Sequence, residues 1–212
     1  MHLDNIVALN NYLDLTTERK LVPFDPLLLK LMNLRKYDRI FPDYISNYDE
    51  IMKAYMHIGK AWCGVAQGKP VCAFGIIPLW KGVAEIWMLT DEELPKYIRT
   101  FHRVTKQMFD LFFDEYELNR LQCTVHSLNG HGVKWIEALY FEQEGRLKKY
   151  GPDGKDFFMY GRLKNGRHTL IAKSSKSSRP RPRTAQTAKG AGGKSGGKGT
   201  RKPGSSAGTK KK

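Results

Sequence analysis

The basic residues of this chain are not spread along it. Residues 164–212 hold 15 Lys and Arg and no Asp or Glu, whereas residues 1–163 hold 21 basic and 21 acidic residues, so the whole formal charge of +15 sits at the end. That end is also poor in hydrophobic residues apart from Leu170-Ile171-Ala172. It runs in Gly, Ser, Pro, Lys and Arg through Arg179-Pro180-Arg181-Pro182-Arg183 to Lys210-Lys211-Lys212. Such a segment buries too little apolar surface to offset an ordering entropy of about 1–2 kcal/mol per residue, and it is expected to stay disordered. Folding is therefore confined to residues 1–163, as one globular domain. With hydrophobic types at 41% of the chain there is enough for one good core and too little for a second.

A polycation of this density releases condensed counterions when it lies along DNA or RNA, which favours non-specific binding that weakens as salt rises. The contacts expected are phosphate contacts from Arg179, Arg181, Arg183, Lys189, Lys194, Lys198, Arg201, Lys202, Lys210, Lys211 and Lys212. The tail has no aromatic residue to stack on bases. Arg179 to Arg183 alternates with proline, which stiffens it toward an extended form that spaces its guanidinium groups. A solubility tail or a receptor-read sorting signal is the plainer reading.

Cys63, Cys72 and Cys123 are widely spaced and lie in apolar runs, so they read as buried thiols of a reducing compartment. No stretch approaches the ~18 consecutive apolar residues of a membrane span, and no basic segment followed by an apolar run opens the chain, so no span and no export signal are expected. The first third reads as helical, with patterns over Leu27–Leu34 and Tyr48–Ile58, and Pro23, Pro26 and Pro42 break it into short pieces. Ala61–Ala66 and Val71–Ile77 then flank Gln67-Gly68-Lys69-Pro70 as a hairpin, and Val83–Thr90 after Lys81-Gly82 is a third strand.

Asp91, Glu92, Glu93 and Pro95 suit a first helical turn, so the next helix is expected to begin near Asp91 or Leu94. Ile98, Phe101, Val104, Met108, Phe112 and Tyr116 form its apolar stripe, with Lys96, Arg99, Arg103 and Lys106 on the opposite, solvated side. Leu121–Ser127 alternates as a strand, a short helix follows from about His131 to Leu139, and Glu142–Tyr150 with Lys155–Leu163 forms a last hairpin. The order is helices, three strands, helix, strand, helix, two strands. It predicts an α/β fold with a mixed central sheet and helices on both faces.

The order from Val83 onward resembles the GNAT acyltransferase fold, in which acetyl-CoA lies across a splayed pair of central strands. Val125-His-Ser-Leu-Asn129 followed by Val133-Lys-Trp135-Ile136 is similar to the GNAT segment that runs from the fifth strand into the fourth helix. Over Gly68–Leu163 the chain is also similar to GNAT-like proteins of short-tailed, autographivirus-type bacteriophages, the internal virion protein A and acetyltransferase-like family. The features are a Gly-x-Pro hairpin turn, Trp87-Met-Leu-Thr90-Asp91, a long basic and aromatic helix, Asn129 to Trp135, and Tyr150-Gly-Pro-Asp-Gly154. This resemblance implies a place in the host cytoplasm or the virion interior, with virion or host proteins as partners.

The resemblance also implies where an acyl-CoA would lie. Met88, Leu89 and Thr90 would run along it, Lys96 and Arg99 would reach its phosphates, and Asn129 would sit beside it. Glu85 and His126 are the candidate proton-transfer residues. Their plain readings are a surface strand carboxylate and a strand-end histidine. GNAT enzymes hold the pyrophosphate on amides of a glycine-bearing loop; here that loop is Thr90-Asp91-Glu92-Glu93-Leu94-Pro95, with three carboxylates and no glycine. The tyrosine that reprotonates the thiolate in many GNAT enzymes aligns with Ile136. Two readings stand: a non-catalytic virion, assembly or host-interaction protein with no cofactor, or a diverged N-acetyltransferase that uses acetyl-CoA. No metal set is visible, since His126 and His131 lack a third ligand.

Overall fold

The computed structural model describes residues 3–164. The tail positions from Arg179 to Lys212 expected to contact phosphates lie outside them. The chain divides into two units, Met1–Lys176 and Ser177–Lys212, and all the described strands and helices belong to the first.

One seven-stranded sheet carries the fold, in the order β1-β2-β3-β4-β5-β7-β6. Its strands are β1 (Arg19–Pro23), β2 (Lys60–Ala66), β3 (Lys69–Trp80), β4 (Val83–Thr90), β5 (Arg120–His126), β6 (Glu142–Leu147) and β7 (Phe157–Leu163). The first four are joined in antiparallel pairs, and β7 lies antiparallel between β5 and β6. Only β4 and β5 run parallel. The β2–β3 turn is Gln67-Gly68 with φ of 50° and 78°, the two positive values of a tight hairpin whose twist matches its strands.

The helices are α1 (Ile6–Tyr12), α2 (Pro26–Leu29), α3 (Ile40–Tyr44), α4 (Tyr48–Ile58), α5 (Ile98–Glu115) and α6 (Gly130–Ala138). They cover both faces. Leu9 and Leu13 near α1, Phe101 to Phe113 on α5, and Ile136 and Leu139 near α6 share one core with Trp62, Phe74, Ile76, Ala84, Ile86 and Leu121 of the sheet. On the other face Phe24, Met32, Leu34, Tyr48 and Met52 pack on Ala73 and Leu89, with Trp87 at their border. The alternation of β4 decides this division, because successive side chains point to opposite faces.

The long helix differs from the pattern in two ways. A 3₁₀ turn over Leu94–Tyr97 precedes α5, so Asp91 is not in its first turn. Asp91 is instead buried and bridges to Leu34. Of the predicted stripe, Phe101, Val104, Met108 and Phe112 are buried, joined by Thr105, Phe109 and Phe113, while Ile98 is exposed at the mouth of a cleft. Each fully buried apolar side chain of this kind contributes about 1.5–3 kcal/mol. The cationic side has work of its own: Arg103 donates to the carbonyls of Leu13 and Asp14 and so caps the C-terminus of α1.

The first strand, Arg19–Pro23, lies in a region the sequence pattern reads as helices alone. Arg19–Pro23 is an edge strand with one buried side chain, Leu21, and it ends on a proline, so it carries no alternation to read. The three cysteines are free and buried, and burial pushes the Cys63 and Cys72 thiols up to about 12. No helix among the described residues is long and apolar enough to cross a membrane.

Phe112 is fully buried and its ring stacks 5.6 Å from Trp62, joining α5 to the sheet. Phe112→Ala should lower unfolding stability by about 3–5 kcal/mol, because a cavity there cannot collapse between helix and sheet. Urea unfolding followed by tryptophan fluorescence measures it.

Candidate functional site

The parallel ladder between β4 and β5 is short. It pairs Val83 with Arg120, Ala84 with Leu121 and Glu85 with Gln122, and there it ends. Past that point the strands diverge toward Thr90 and His126. The V between them opens into a cleft of about 790 Å³. One wall carries Ile98, Phe101, Lys134 and Trp135 of α5 and α6; the other carries Tyr37, Phe41, Tyr48 and Tyr55 from the helical region before β2.

Glu85 stands at the branch point and accepts from Gln122 Nε2 at 3.3 Å. The phenols of Tyr55 and Tyr150 are pushed up, first by burial and then by the charge of Glu85. His126 lies at the wide end of the V with both ring nitrogens engaged. Nδ1 accepts the Leu128 amide at 3.1 Å, which leaves Nε2 to carry the proton and donate to Asp153 Oδ2 at 3.1 Å. A ring held this way is a platform.

Of the residues placed along the cofactor, Met88, Leu89, Thr90 and Asn129 line the cleft, while Lys96 and Arg99 are not among its walls. Lys96 pairs with Glu93 at 2.7 Å on the exposed surface. Asn129 caps α6, its Oδ1 accepting from the Gly132 amide at 3.0 Å. Ile136 is buried in the cleft wall.

The loop after β4 has no amide free for a phosphate. Thr90 N–H donates to Asp38 Oδ2 at 2.9 Å, and Asp91 N–H to the Val71 carbonyl at 3.0 Å. Glu92 N–H donates to the Asn33 carbonyl at 2.9 Å, Glu93 N–H to Asp91 Oδ1 at 2.8 Å, and Leu94 N–H to the Asp91 carbonyl at 3.0 Å. Pro95 has none to give. Asp91 Oδ2 takes the Asn33 amide as well, at 2.6 Å. The carboxylate of Asp91 thus answers two backbone donors in the place where a diphosphate would need them, and Glu92 and Glu93 stay exposed beside it. The residues of this loop do not fit the pyrophosphate of coenzyme A.

Three residues of the cleft escaped the sequence reading: Arg35, Tyr37 and Asp38. They lie in a segment without period or motif, and nothing but the fold brings them to β4 and β5. Asp153 lies inside Tyr150-Gly-Pro-Asp-Gly154, but its role on His126 could not be read from the turn.

No protein-family model matches the chain, and no curated protein matches it. Solved structures do. The L7/L12 α-N-protein acetyltransferase RimL, in complex with coenzyme A, superposes with a TM-score of 0.55 at 15% identity, covering 71% of this chain and 97% of its own. Ard1 of Thermoplasma volcanium gives 0.55 at 14% identity over 69% and 98%. A GNAT-family acetyltransferase of Bacillus anthracis gives 0.51 at 16% over 69% and 95%. The chain has the GNAT fold. At these identities the likeness extends to the fold and no further. Among the described residues no group of three side chains is placed to hold a metal ion.

Burial pushes the Asp38 carboxyl up to about 6, against the hydrogen bonds from Thr90 that pull it down. Its native pKa exceeds its unfolded one, so the folded state gains from protonation. The contribution is full below pH ~4 and fades as pH rises through ~6, a loss of about 3 kcal/mol. Asp38→Asn keeps an acceptor for Thr90 and does not titrate. Thermal melts between pH 4.5 and 7.5 should show that slope in the parent and a shallower one in the variant, with the variant at least as stable at pH 7.5.

Proposed function

We propose that this is a non-catalytic GNAT-fold binding protein of bacteriophage infection, acting in the virion, in its assembly or on host proteins, and carrying a tail for nucleic acid. The observation that carries the first part is the loop after β4: every amide from Thr90 to Leu94 already has an acceptor within the protein. A working acyl-CoA enzyme needs those donors free, since backbone amides and a helix N-terminus hold the diphosphate. The phage setting is supported by the resemblance over Gly68–Leu163, which favours the host cytoplasm or the virion interior. The tail assignment is supported by the charge split, a neutral body of 21 against 21 charges and a uniformly positive end.

A second reading has one specific observation in its favour. Glu85 stands at the branch of the V, between an aromatic wall and a cleft of about 790 Å³. That is a fitting place for a general base acting on an amine. The enzyme would then be an N-acetyltransferase holding acetyl-CoA by other contacts, for which Arg35 and Lys134 are the cations in the cleft wall.

Calorimetric titration of acetyl-CoA into the full-length protein, with coenzyme A as the control for thioester-independent binding, separates the two. No saturable heat is expected. Micromolar binding would overturn the non-catalytic reading and make loss of turnover in Glu85→Gln the next measurement.

Fluorescence anisotropy with labelled duplex DNA tests the tail. The full chain should bind at low salt, with affinity falling along a log–log slope of about −0.9 for each phosphate contacted. A truncation ending at Leu163 should lose that binding. Equal affinity of the two proteins would remove the tail from the interface.

A further inference from the structure

The V between β4 and β5 is widest at Thr90 and His126, and one short segment touches both sides. Arg35 N–H donates to the Thr90 carbonyl at 2.9 Å, and Asp38 Oδ2 accepts Thr90 N–H at 2.9 Å and the Thr90 hydroxyl as well. Asp91 N–H and Thr90 N–H point to opposite edges of β4, since Asp91 donates to β3. The edge held by Arg35 and Asp38 is therefore the free edge, the one facing the V. On the far side the Tyr37 ring lies 4.8 Å from the His126 ring, and Phe41 lies 6.2 Å from Phe157, the β7 residue paired with His126. Two neighbours in sequence, Tyr37 and Asp38, grip opposite strands.

We infer that Arg35–Asp38 is a lid, hinged at Leu34, that closes the wide end of the V and must lift before an extended ligand can lie along β4. The hinge follows from burial. Met32 and Leu34 are 9% and 8% exposed in the second core, whereas Arg35, Tyr37 and Asp38 are half-buried and Lys36 is exposed. The attachments of the lid are a few polar bonds and one ring contact, and elements held this way open at a small fraction of the global unfolding free energy. Its landing site is prepared: Asp153 and the Leu128 amide fix the His126 ring in the orientation that Tyr37 meets. Lifting the lid would bare the Thr90 N–H and carbonyl together, a donor and acceptor pair on a strand edge that suits an extended amide-bearing chain. The inference rests on the function proposed above, in which the cleft is closed to the cofactor, and deepens it.

Amide hydrogen exchange by NMR on the full-length protein tests it, because β4 carries its own control. The Thr90 amide is bonded to the lid and the Asp91 amide to the sheet. The expected result is exchange at Thr90 and Arg35 at least about tenfold faster than at Asp91 under native conditions. Asp38→Ala and Tyr37→Ala should each raise the Thr90 and Arg35 rates further and leave Asp91 unchanged. Tyr37→Ala removes the contact with His126 and the Lys36 contact on the same ring but leaves the bonds to Thr90, so it serves if Asp38→Ala does not fold.

Exchange of Thr90 in step with Asp91 in all three proteins would overturn the lid. Acetyl-CoA titrated into the same proteins separates this from the proposed function. Binding that appears only in the variants supports the lid and removes the non-catalytic reading. Binding to the parent with Thr90 still protected overturns the lid. No binding in any protein, with local opening at Thr90, supports both.

Discussion

The parallel pairing of β4 with β5 lasts three residues, and most of the structure answers to where it stops. Beyond Glu85 and Gln122 each strand presents backbone donors and acceptors to a gap. Buried backbone groups must find partners, at a penalty of about 1–3 kcal/mol for each one left alone. In a GNAT enzyme a cofactor can supply them. Here the wide end is answered by the chain itself, Arg35 and Asp38 bonding Thr90, and the loop beyond it closes on Asn33 and Asp91. The acidic loop is the consequence of that choice. An aspartate that caps two amides does for the loop what an anion would have done, and the fixed charge then repels the anion itself.

The same break in pairing explains why His126 is held so firmly. It ends β5 at the wide side of the V, buried at 4% exposure, with nothing from β4 within ladder distance. Its neighbours come from elsewhere: Asp153 from the turn before β7, the Leu128 amide from the loop before α6, and the rings of Tyr37 and Phe157 on its faces. A buried imidazole with both nitrogens bonded is a structural joint among β5, β7 and the segment before α3. Glu85 is in the opposite situation, at the narrow end with one long bond to Gln122. The two residues that the sequence offered as proton carriers therefore occupy different environments.

How much of this was legible depends on the range of the signal. Hairpins at Gln67-Gly68 and Lys81-Gly82, the stripe of α5 and the alternation of Leu121 and Cys123 are local patterns, and periodicity reads them. The edge strand Arg19–Pro23 was not, because a short edge ending in proline has one buried side chain and no pattern. Asp91 misled for a physical reason: an acidic residue before Leu94-Pro95 has the look of a helix start, yet its carboxylate turns back to Asn33, which is 58 residues away in sequence. Arg35, Tyr37 and Asp38 were invisible for the same reason. Their meaning lies in contacts to Thr90 and His126 that no local window contains. The glycine-free loop was legible as a defect in cofactor binding, but not as a network that satisfies itself.

An open strand edge invites pairing with other chains, so the free edge of β4 cannot simply be left bare. Closing it with a rigid plug would make the groove disappear. This protein does neither: it keeps about 790 Å³ of cleft lined by aromatic rings and closes only the rim, with four residues hung from a buried leucine. Rim closure by polar bonds protects the edge of β4 while leaving the interior shaped. The interior of the cleft is thereby kept open while its rim is bonded. What distinguishes this cleft is its own lining, Glu85, the aromatic rings and the residues at its rim, because the sheet itself is the same in proteins of many functions.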